Sequence, residues 1–230
     1  MRFIIALLLT LVALSSHAHY YKKTTSDICH SNASPYFDRI TNFEKYYEIT
    51  DCIADGGRPS RWDEEEIATN VPEYDRNRHF GYGWADTDRD CQNTRQEILI
   101  EQSTGPVYFA DDDQCRVVRG RWISVFTNEV ITDASTVDID HVVPLKWAWD
   151  HGAYLWTREK RIQFANDPVN LISVEASLNR AKGAKGPDVW LPPKNRCGYI
   201  ARFQRILVMY DLQLTDQERQ TVQAYINEFC

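Results

Sequence analysis

Six cysteines constrain the fold of this 230-residue chain more than any other feature of its sequence. An even number of cysteines in an exported chain indicates disulfide bonds, and six of them allow fifteen pairings. No two are spaced as C-x-x-C, which argues against a structural zinc site. Short loops close most readily. Sequence order therefore predicts three local bridges, Cys29–Cys52, Cys91–Cys115 and Cys197–Cys230.

The N-terminal residues predict export. Arg2 precedes the apolar run Phe3–Leu14, and the string SHA at 16–18 has the small-residue pattern of a cleavage site, so residues 1–18 are interpreted as a signal peptide. The apolar run is shorter than the roughly 20 residues that a membrane-spanning helix needs, and an uncleaved anchor is the alternative. We expect a secreted protein, extracellular or periplasmic, without a membrane attachment in its mature form.

Charge is distributed unevenly along the chain. The net charge is −7, whereas residues 141–206 carry eleven Lys and Arg against five Asp and Glu, a local charge of +6. A basic segment in an otherwise acidic chain fits an enzyme that binds a polyanion and must release its product. Ordinary solvated charge on helix surfaces is the other interpretation.

Hydrophobic periodicity predicts a helical segment and a β-hairpin in the N-terminal half. Tyr36, Ile40, Phe43 and Tyr47 recur at helical spacing and predict a helical extension over residues 19–60. Further along, Arg119-Gly120 separates two strand-like runs, and the glycine is interpreted as the turn of a β-hairpin.

The C-terminal half has a clearer order of elements. The pattern predicts a strand at Val137–Val143, a mostly helical excursion at Leu145–Phe164, a strand at Asn170–Val174 and a short helix at Glu175–Lys182. Three more helices are predicted at Thr94–Glu101, at Ile200–Tyr210 and after a capping box formed by Thr215 and Glu218.

The string DIDHVVP at 138–144 carries the first chemical signal. Hydrolysis of a phosphodiester needs a group that deprotonates water and a cation that stabilises the phosphate. His141 can accept a proton at neutral pH, and Asp140 is a hard oxygen ligand suited to Mg²⁺. Side-chain alternation places Asp138 and Asp140 on one face of the strand and His141 on the other, unless the strand ends or twists there.

The string NLISVEASLNRAKG at 170–183 supplies the second half. With DIDHVVP it resembles the ββα-metal fold of HNH nucleases, including the HNH domain of RNA-guided CRISPR nucleases. The resemblance implies that Asp140 and Asn179 bind a divalent metal, that His141 is the general base and that Asn170 orients the active-site loop. The third position of the motif is asparagine, where some relatives use histidine. The expected metal is Mg²⁺, with Mn²⁺ as the other candidate.

A closer resemblance is to the C-terminal HNH domain of GmrSD-type restriction enzymes and their exported single-domain relatives. It covers roughly Tyr74 to Cys230. The strings that carry it are GWADTDRDCQNTRQEIL at 83–99, PLKWAWDHGA at 144–153, RIQFANDPVNL at 161–171 and NRAKGAKGPDVWLPP at 179–193. It implies an α+β fold with a ββα-metal (HNH) core at 115–190. We expect that core within a single disulfide-bonded nuclease domain at 61–230, with additional flanking helices.

Other residues are candidates for substrate contacts. Arg180, Lys182 and Lys185 follow Asn179 and could bind phosphates, or they could form a solvated helix face. Arg95 could approach the scissile phosphate or form a structural salt bridge. We expect most of the tryptophans near the motif to be core residues rather than platforms for bases: Trp147, Trp149, Trp156 and Trp190.

A competing signal is an acidic loop. Asp86, Asp88, Asp90 and Glu97 occupy positions one, three, five and twelve of an EF-hand calcium loop. Cys91 stands where that loop requires glycine, and no convincing helix precedes it. A calcium site of another kind and an acidic loop without an ion both remain open.

The sequence therefore predicts a secreted metal-dependent endonuclease of low sequence specificity, monomeric, with DNA, RNA or both as its substrate. Nothing in the sequence resembles a separate DNA-reading module. The alternatives are a non-catalytic, calcium-stabilised binding protein on a nuclease-like scaffold, and a delivered nuclease toxin.

Overall fold

A computed structural model describes residues 20–63 and 71–230, and the predicted signal peptide lies outside the described residues. Within these ranges the fold is α+β, as predicted. The strands are β1 (Tyr21–Lys23), β2 (Ile28–His30), β3 (Glu44–Tyr46), β4 (Arg58–Pro59), β5 (Tyr108–Phe109), β6 (Val117–Ile123), β7 (Val130–Asp133), β8 (Val137–His141) and β9 (Leu171–Glu175). The helices are α1 (Ile49–Ala54), α2 (Arg76–Phe80), α3 (Thr94–Glu101), α4 (Leu145–Asp150), α5 (Arg158–Asn166), α6 (Ala176–Lys182), α7 (Arg196–Tyr210) and α8 (Asp216–Phe229). Every helix in the described part is too short or too polar to cross a bilayer.

The described strands form three small sheets. The first has the order β3-β1-β2-β4, the second has the order β5-β6-β7, and the third is the antiparallel pair β8-β9. Helices α3 and α6 both pack on the β8-β9 pair. The predicted order of strand, helical excursion, strand and helix is thus confirmed between Val137 and Lys182.

All three predicted disulfides are present. Cys29–Cys52 joins β2 to α1, and Cys91–Cys115 joins the acidic loop to the approach to β6. Cys197–Cys230 ties the start of α7 to the end of α8. Each bridge closes a local loop, which is the outcome that the low entropy cost of short loops favours.

The predicted helical extension over residues 19–60 is wrong. This segment forms the four-stranded sheet, and its described helical elements are α1 and a short 3-10 helix at Phe37–Arg39. The reason is Lys22, which is 7% exposed and donates to the carbonyl oxygens of Phe37 at 2.8 Å and Ile40 at 3.0 Å. Its ammonium also lies 4.4 Å from the ring centroids of Phe37 and Phe43. Because a buried ammonium must be hydrogen-bonded, it binds the carbonyls at both ends of the 3-10 helix, and the chain is extended at Ile40 instead of continuing as a long helix.

The predicted turn at Arg119-Gly120 is also wrong, because β6 continues through both residues, with an irregular register to β7 between Arg119 and Trp122. Gly120 instead allows the ring of Trp122 to lie close against the backbone of β6. A Cβ atom at Gly120 would lie 2.6 Å from the ring of Trp122, which is fully buried. The turn that follows β6 lies between Ser124 and Glu129, where the Ser124 N–H donates to the Glu129 carbonyl at 2.9 Å.

One large apolar core joins the N-terminal sheet to the C-terminal helices. Ile49 and Ile53 of α1 belong to the same buried cluster as Phe164 of α5 and Phe203 of α7. The four tryptophans singled out from the sequence contribute to this cluster: Trp147 and Trp149 are buried, and Trp156 and Trp190 pack against it partly buried. The prediction that they are mainly core residues is confirmed, and the chain folds as one disulfide-bonded unit.

The variant Gly120→Ala tests the packing of the β5-β6-β7 sheet. Its methyl group would overlap the Trp122 ring, which cannot move freely because its Nε1–H donates to the Leu99 carbonyl at 2.8 Å. We expect a loss of about 1–3 kcal/mol in the free energy of unfolding, measured by urea denaturation. Val130→Ala on β7, where the side chain is 50% exposed, should cost less than about 0.5 kcal/mol. Equal effects of the two variants would contradict this account.

Candidate active site

The β8-β9 pair and α6 together place the motif residues. In the antiparallel register Asp140 faces Ile172 and His141 faces Leu171. One further bond, from the Val142 N–H to the Asn170 carbonyl at 2.8 Å, extends the pairing past the end of β8. The chain then continues from β9 directly into α6, which returns across β8.

Asn170 holds the loop that follows β8. Its side chain is fully buried, its Oδ1 accepts from the Val143 N–H at 2.9 Å, and its Nδ2 donates to the Val143 carbonyl at 3.2 Å. Both polar groups of Val143 are therefore bound by one amide. This contact fixes where the strand stops and where Pro144 and α4 begin.

A cleft of about 510 Å³ opens beside this loop. Asp140, His141 and Asn179 line it together with Asp138, so the structure brings three of the predicted site residues to one place, whereas Asn170 acts on the loop and does not line the cleft. The alternation expected along β8 breaks down at its end, because the strand stops at His141 and that side chain still reaches the cleft.

His141 is held from two sides. Its Nε2 lies 2.8 Å from the Ala165 carbonyl oxygen, and its ring stacks on Trp84 with a centroid separation of 5.3 Å and an angle of 7° between the planes. A carbonyl only accepts hydrogen bonds, so Nε2 carries the proton and Nδ1 keeps its lone pair. Burial, helped by the charge of Arg76, lowers the pKa of His141 to about 3. The imidazole is therefore neutral at neutral pH.

Helix α6 contacts β8 through two polar side chains one turn apart. Asn179 donates from Nδ2 to Asp138 Oδ2 at 3.1 Å. Lys182 donates from Nζ to Asp140 Oδ1 at 2.9 Å and to the His141 carbonyl at 2.8 Å. Asn179 is thus paired with Asp138, and Asp140 is paired with Lys182.

The Asp140–Lys182 ion pair is buried, with 4% and 0% of the two residues exposed. Burial raises the pKa of the Asp140 carboxyl and lowers the pKa of the Lys182 ammonium, and the attraction between them opposes both shifts. Because each group would be costly to leave unpaired, the pair fixes α6 against β8.

The basic residues predicted to contact phosphates are placed differently from one another. Lys182 is fully buried under the site and presents no ammonium to a ligand in solution, so its predicted place on the surface is corrected. Arg180 and Lys185 are exposed on α6 and just after it, and Lys185 Nζ donates to the Ala181 carbonyl at 2.8 Å. Neither Arg180 nor Lys185 lines the cleft. Arg95 does, while its Nη2 donates to the carbonyls of Ala134 at 3.2 Å and Val137 at 2.9 Å.

The donors around the cleft fit a divalent cation. Two carboxylates, from Asp138 and Asp140, and the amide of Asn179 are the hard oxygen ligands that Mg²⁺ prefers. Within the described ranges, Asp140 Oδ2 is buried without a hydrogen-bond partner. A buried carboxylate oxygen without a partner costs free energy, and a bound cation would remove that cost.

A second group of carboxylates lies on the acidic loop. Those of Asp86, Asp88 and Asp90 approach within 4.8 Å of one another at the surface, an arrangement that could hold a metal ion. Burial, followed by the charges of Asp88 and Asp90, raises the pKa of Glu97. Cys91 has a φ of 77° in the disulfide that pins this loop, so a cysteine occupies a left-handed conformation at the position where an EF-hand has glycine.

Trp84 and Arg76 are among the cleft residues that the sequence did not identify as site residues. Trp84 lay unremarked within the string GWADTDRDCQNTRQEIL, and its contact with His141 spans 57 positions that no local pattern connects. Arg76 lies in a polar segment without periodicity, and only the fold brings it to the cleft.

Comparisons with known proteins identify a family and a relative. The family described as "GmrSD restriction endonucleases, C-terminal domain" matches residues 93–221, a range that contains β8, β9 and α6. An "Uncharacterized secreted protein" of Arthroderma benhamiae is 38% identical over 148 residues, which cover 63% of this chain and 71% of the relative. No solved structure matches the chain significantly. The three disulfides and the secreted relative together confirm that the chain is an exported protein.

The buried pair under the site can be tested by a double-mutant cycle. Lys182→Met leaves the Asp140 carboxylate buried and unpaired, so we expect it to cost about 3–5 kcal/mol in the free energy of unfolding. Adding Asp140→Asn removes the stranded charge and should recover part of that loss. Denaturant unfolding of the two single variants and the double variant measures the coupling. Additive effects would show that the two groups do not stabilise each other.

Proposed function

The chain belongs to the family of C-terminal domains of GmrSD restriction endonucleases, and we propose that it is a secreted, metal-dependent endonuclease that hydrolyses phosphodiester bonds in DNA, RNA or both. The observation that supports this most strongly is that one cleft holds a neutral histidine beside two carboxylates and an amide. Such a site joins a proton acceptor to a set of cation ligands, as hydrolysis of a phosphodiester requires.

His141 is the proposed general base. Its Nδ1 takes a proton from a water molecule as that water attacks phosphorus. The Ala165 carbonyl accepts from Nε2–H, keeps the tautomer that has a free Nδ1, and then stabilises the imidazolium that forms. Stacking on Trp84 and the loop contacts of Asn170 hold the ring in this orientation.

Asp140 and Asn179 are the proposed metal ligands, and Asp138 is a third oxygen donor in the same cleft. A bound Mg²⁺ or Mn²⁺ supplies positive charge that stabilises the phosphate and the departing oxygen. Lys182 and Asn179 set the positions of the two carboxylates, since each donates to one of them.

The proposed nuclease unit is residues 61–230, with its core at 115–190, preceded by a leader at 1–18. The family match at 93–221 supports the proposed core, because it contains all of residues 115–190. Low sequence specificity is proposed since no separate base-reading module was recognised in the sequence, and a monomer remains the expectation.

Replacement of the general base is the most direct test of the proposed function. His141→Ala removes the proton acceptor, so we expect cleavage of plasmid DNA or of RNA to fall at least about 100-fold, while the melting temperature shows that the fold persists. His151→Ala is the matched control, because this second histidine bonds to Glu218 and does not line the cleft. Cleavage by the His141→Ala variant at the wild-type rate would refute the assignment.

Metal dependence is tested separately. We expect a chelator to stop cleavage and added Mg²⁺ or Mn²⁺ to restore it. Asn179→Ala should raise the metal concentration required, and it should also reduce the increase in melting temperature that the same ion produces, because a ligand that binds only the folded state stabilises it.

A calcium-stabilised binding protein is the second candidate, and the convergence of Asp86, Asp88 and Asp90 favours it. This alternative predicts that calcium raises the melting temperature and that no nucleic acid is cut. A variant with all three aspartates changed to asparagine should lose that calcium effect. Under our proposal the same variant should still cleave with Mg²⁺, because the acidic loop does not line the cleft.

A further inference from the structure

The proposed substrate is an anion, and the cleft presents two carboxylates to it. Like charges repel, so a phosphate needs positive charge from the protein as well as from a bound metal if it is to stay beside Asp138 and Asp140. The cation that serves this role must line the cleft and must have donors that are free of other contacts.

Most basic groups at the cleft are already engaged. Arg95 is half-buried and uses Nη2 for two carbonyls of the chain, so its guanidinium is fixed to the fold although its other donors have no hydrogen bond in the described residues. Lys146 lines the cleft but is paired with Asp150 at 2.5 Å and 2.6 Å, one turn along α4. Lys182 is buried beneath the cleft and forms an ion pair with Asp140.

Arg76 differs from these groups. It is exposed and lines the cleft with His141 and Asp138. Within the described residues, 20–63 and 71–230, the Arg76 guanidinium makes no hydrogen bond or ion pair.

The backbone that carries Arg76 is firmly held. Asp75 caps α2, with its Oδ1 accepting from the Arg78 N–H at 3.0 Å, and the Asp75 N–H donates to His79 Nδ1 at 3.1 Å. At the other end of α2, Phe80 is 1% exposed in the core. Because Arg76 lies on a short helix that is already anchored, no loop has to become ordered when its guanidinium binds a ligand, and the entropy cost of binding is lower.

We infer that Arg76 binds the substrate phosphate in the cleft and positions it beside Nδ1 of His141. This role rests on the proposed function. A guanidinium can bond two phosphate oxygens at once, which fixes orientation as well as supplying charge. Arg76 lies outside the family match at 93–221, so the role is assigned from its place in this fold alone.

Arg78 provides a matched control two residues further along α2. It is exposed and carries the same charge, but its Nη2 is paired with Asp51 at 3.2 Å and it does not line this cleft. Arg76→Ala and Arg78→Ala therefore change the net charge equally, but only Arg76→Ala removes an arginine from the cleft, and only Arg78→Ala breaks an ion pair, the one with Asp51.

Binding is measured with the mature chain carrying His141→Ala, to prevent cleavage, and a labelled 20-base-pair DNA duplex at several salt concentrations. Loss of one phosphate contact should weaken the Kd about tenfold at low salt and should reduce the slope of log Kd against log salt concentration by about 0.9. Arg78→Ala should change the Kd by no more than about twofold and leave the slope unchanged.

Cleavage by the chain with His141 intact gives the second readout. Arg76→Ala should lower kcat/KM at least about tenfold, while Arg76→Lys should keep the salt slope and recover only part of kcat/KM, because an ammonium has the charge without the two-oxygen geometry. Equal losses from Arg76→Ala and Arg78→Ala, or no loss from Arg76→Ala, would overturn the inference while wild-type cleavage upholds the proposed function. A wild-type chain that neither binds nor cuts nucleic acid would refute both.

Discussion

A single buried ammonium ties the site together. Lys182 donates to Asp140 and to the His141 carbonyl, and it thereby fastens the last turn of α6 to the end of β8. One turn earlier, Asn179 is placed against Asp138 by the same packing. Because an isolated buried charge is costly, the ammonium and the carboxylate hold each other in place. Asn179 and Lys182, three residues apart on α6, thus face Asp138 and Asp140, two residues apart on β8. This places the proposed ligands Asp140 and Asn179 in the same cleft.

The β8-β9 pair needs support from the rest of the fold, since a lone two-stranded sheet is marginally stable in water. Helix α3 supplies it. Gln102, just after that helix, donates to the Leu171 carbonyl at 2.9 Å and accepts from the Ser173 N–H at 2.8 Å, so it bonds β9 as a neighbouring strand would. Arg95 binds the Val137 carbonyl at the start of β8. The proposed phosphate contact of Arg95 therefore competes with a structural use of the same guanidinium, as the sequence had left open.

Sequence reasoning succeeded where the determining interactions are local. The capping box at Thr215 and Glu218, the helix Thr94–Glu101 and the three disulfides all depend on residues close together along the chain, and all three predictions are confirmed. It failed where a distant contact overrides a local pattern. Lys22 bends residues with helical spacing into a turn, and the ring of Trp122 occupies the space that makes Gly120 a strand residue.

The site shows the same division. Asp140 and His141 were singled out because a metal and a base require these residue types, Asn179 was assigned from the resemblance to HNH nucleases, and the structure places all three on one cleft. Their roles remain predictions. Trp84 and Arg76 were missed because their relation to His141 exists only in three dimensions.

Charge counted along the chain is a poor guide to the charge that a substrate meets. Residues 141–206 carry a formal charge of +6, but Lys182 is buried against Asp140 and Arg161 is 1% exposed, with its guanidinium bonded to the carbonyls of His79, Tyr154 and Trp156. These groups stabilise the fold and do not face a ligand. Arg76, by contrast, lies outside that basic segment, in the acidic remainder of the chain. The fold therefore determines which cations a polyanion contacts near the cleft. The position of a phosphate beside His141 depends on Arg76 more than on the net charge of the basic segment.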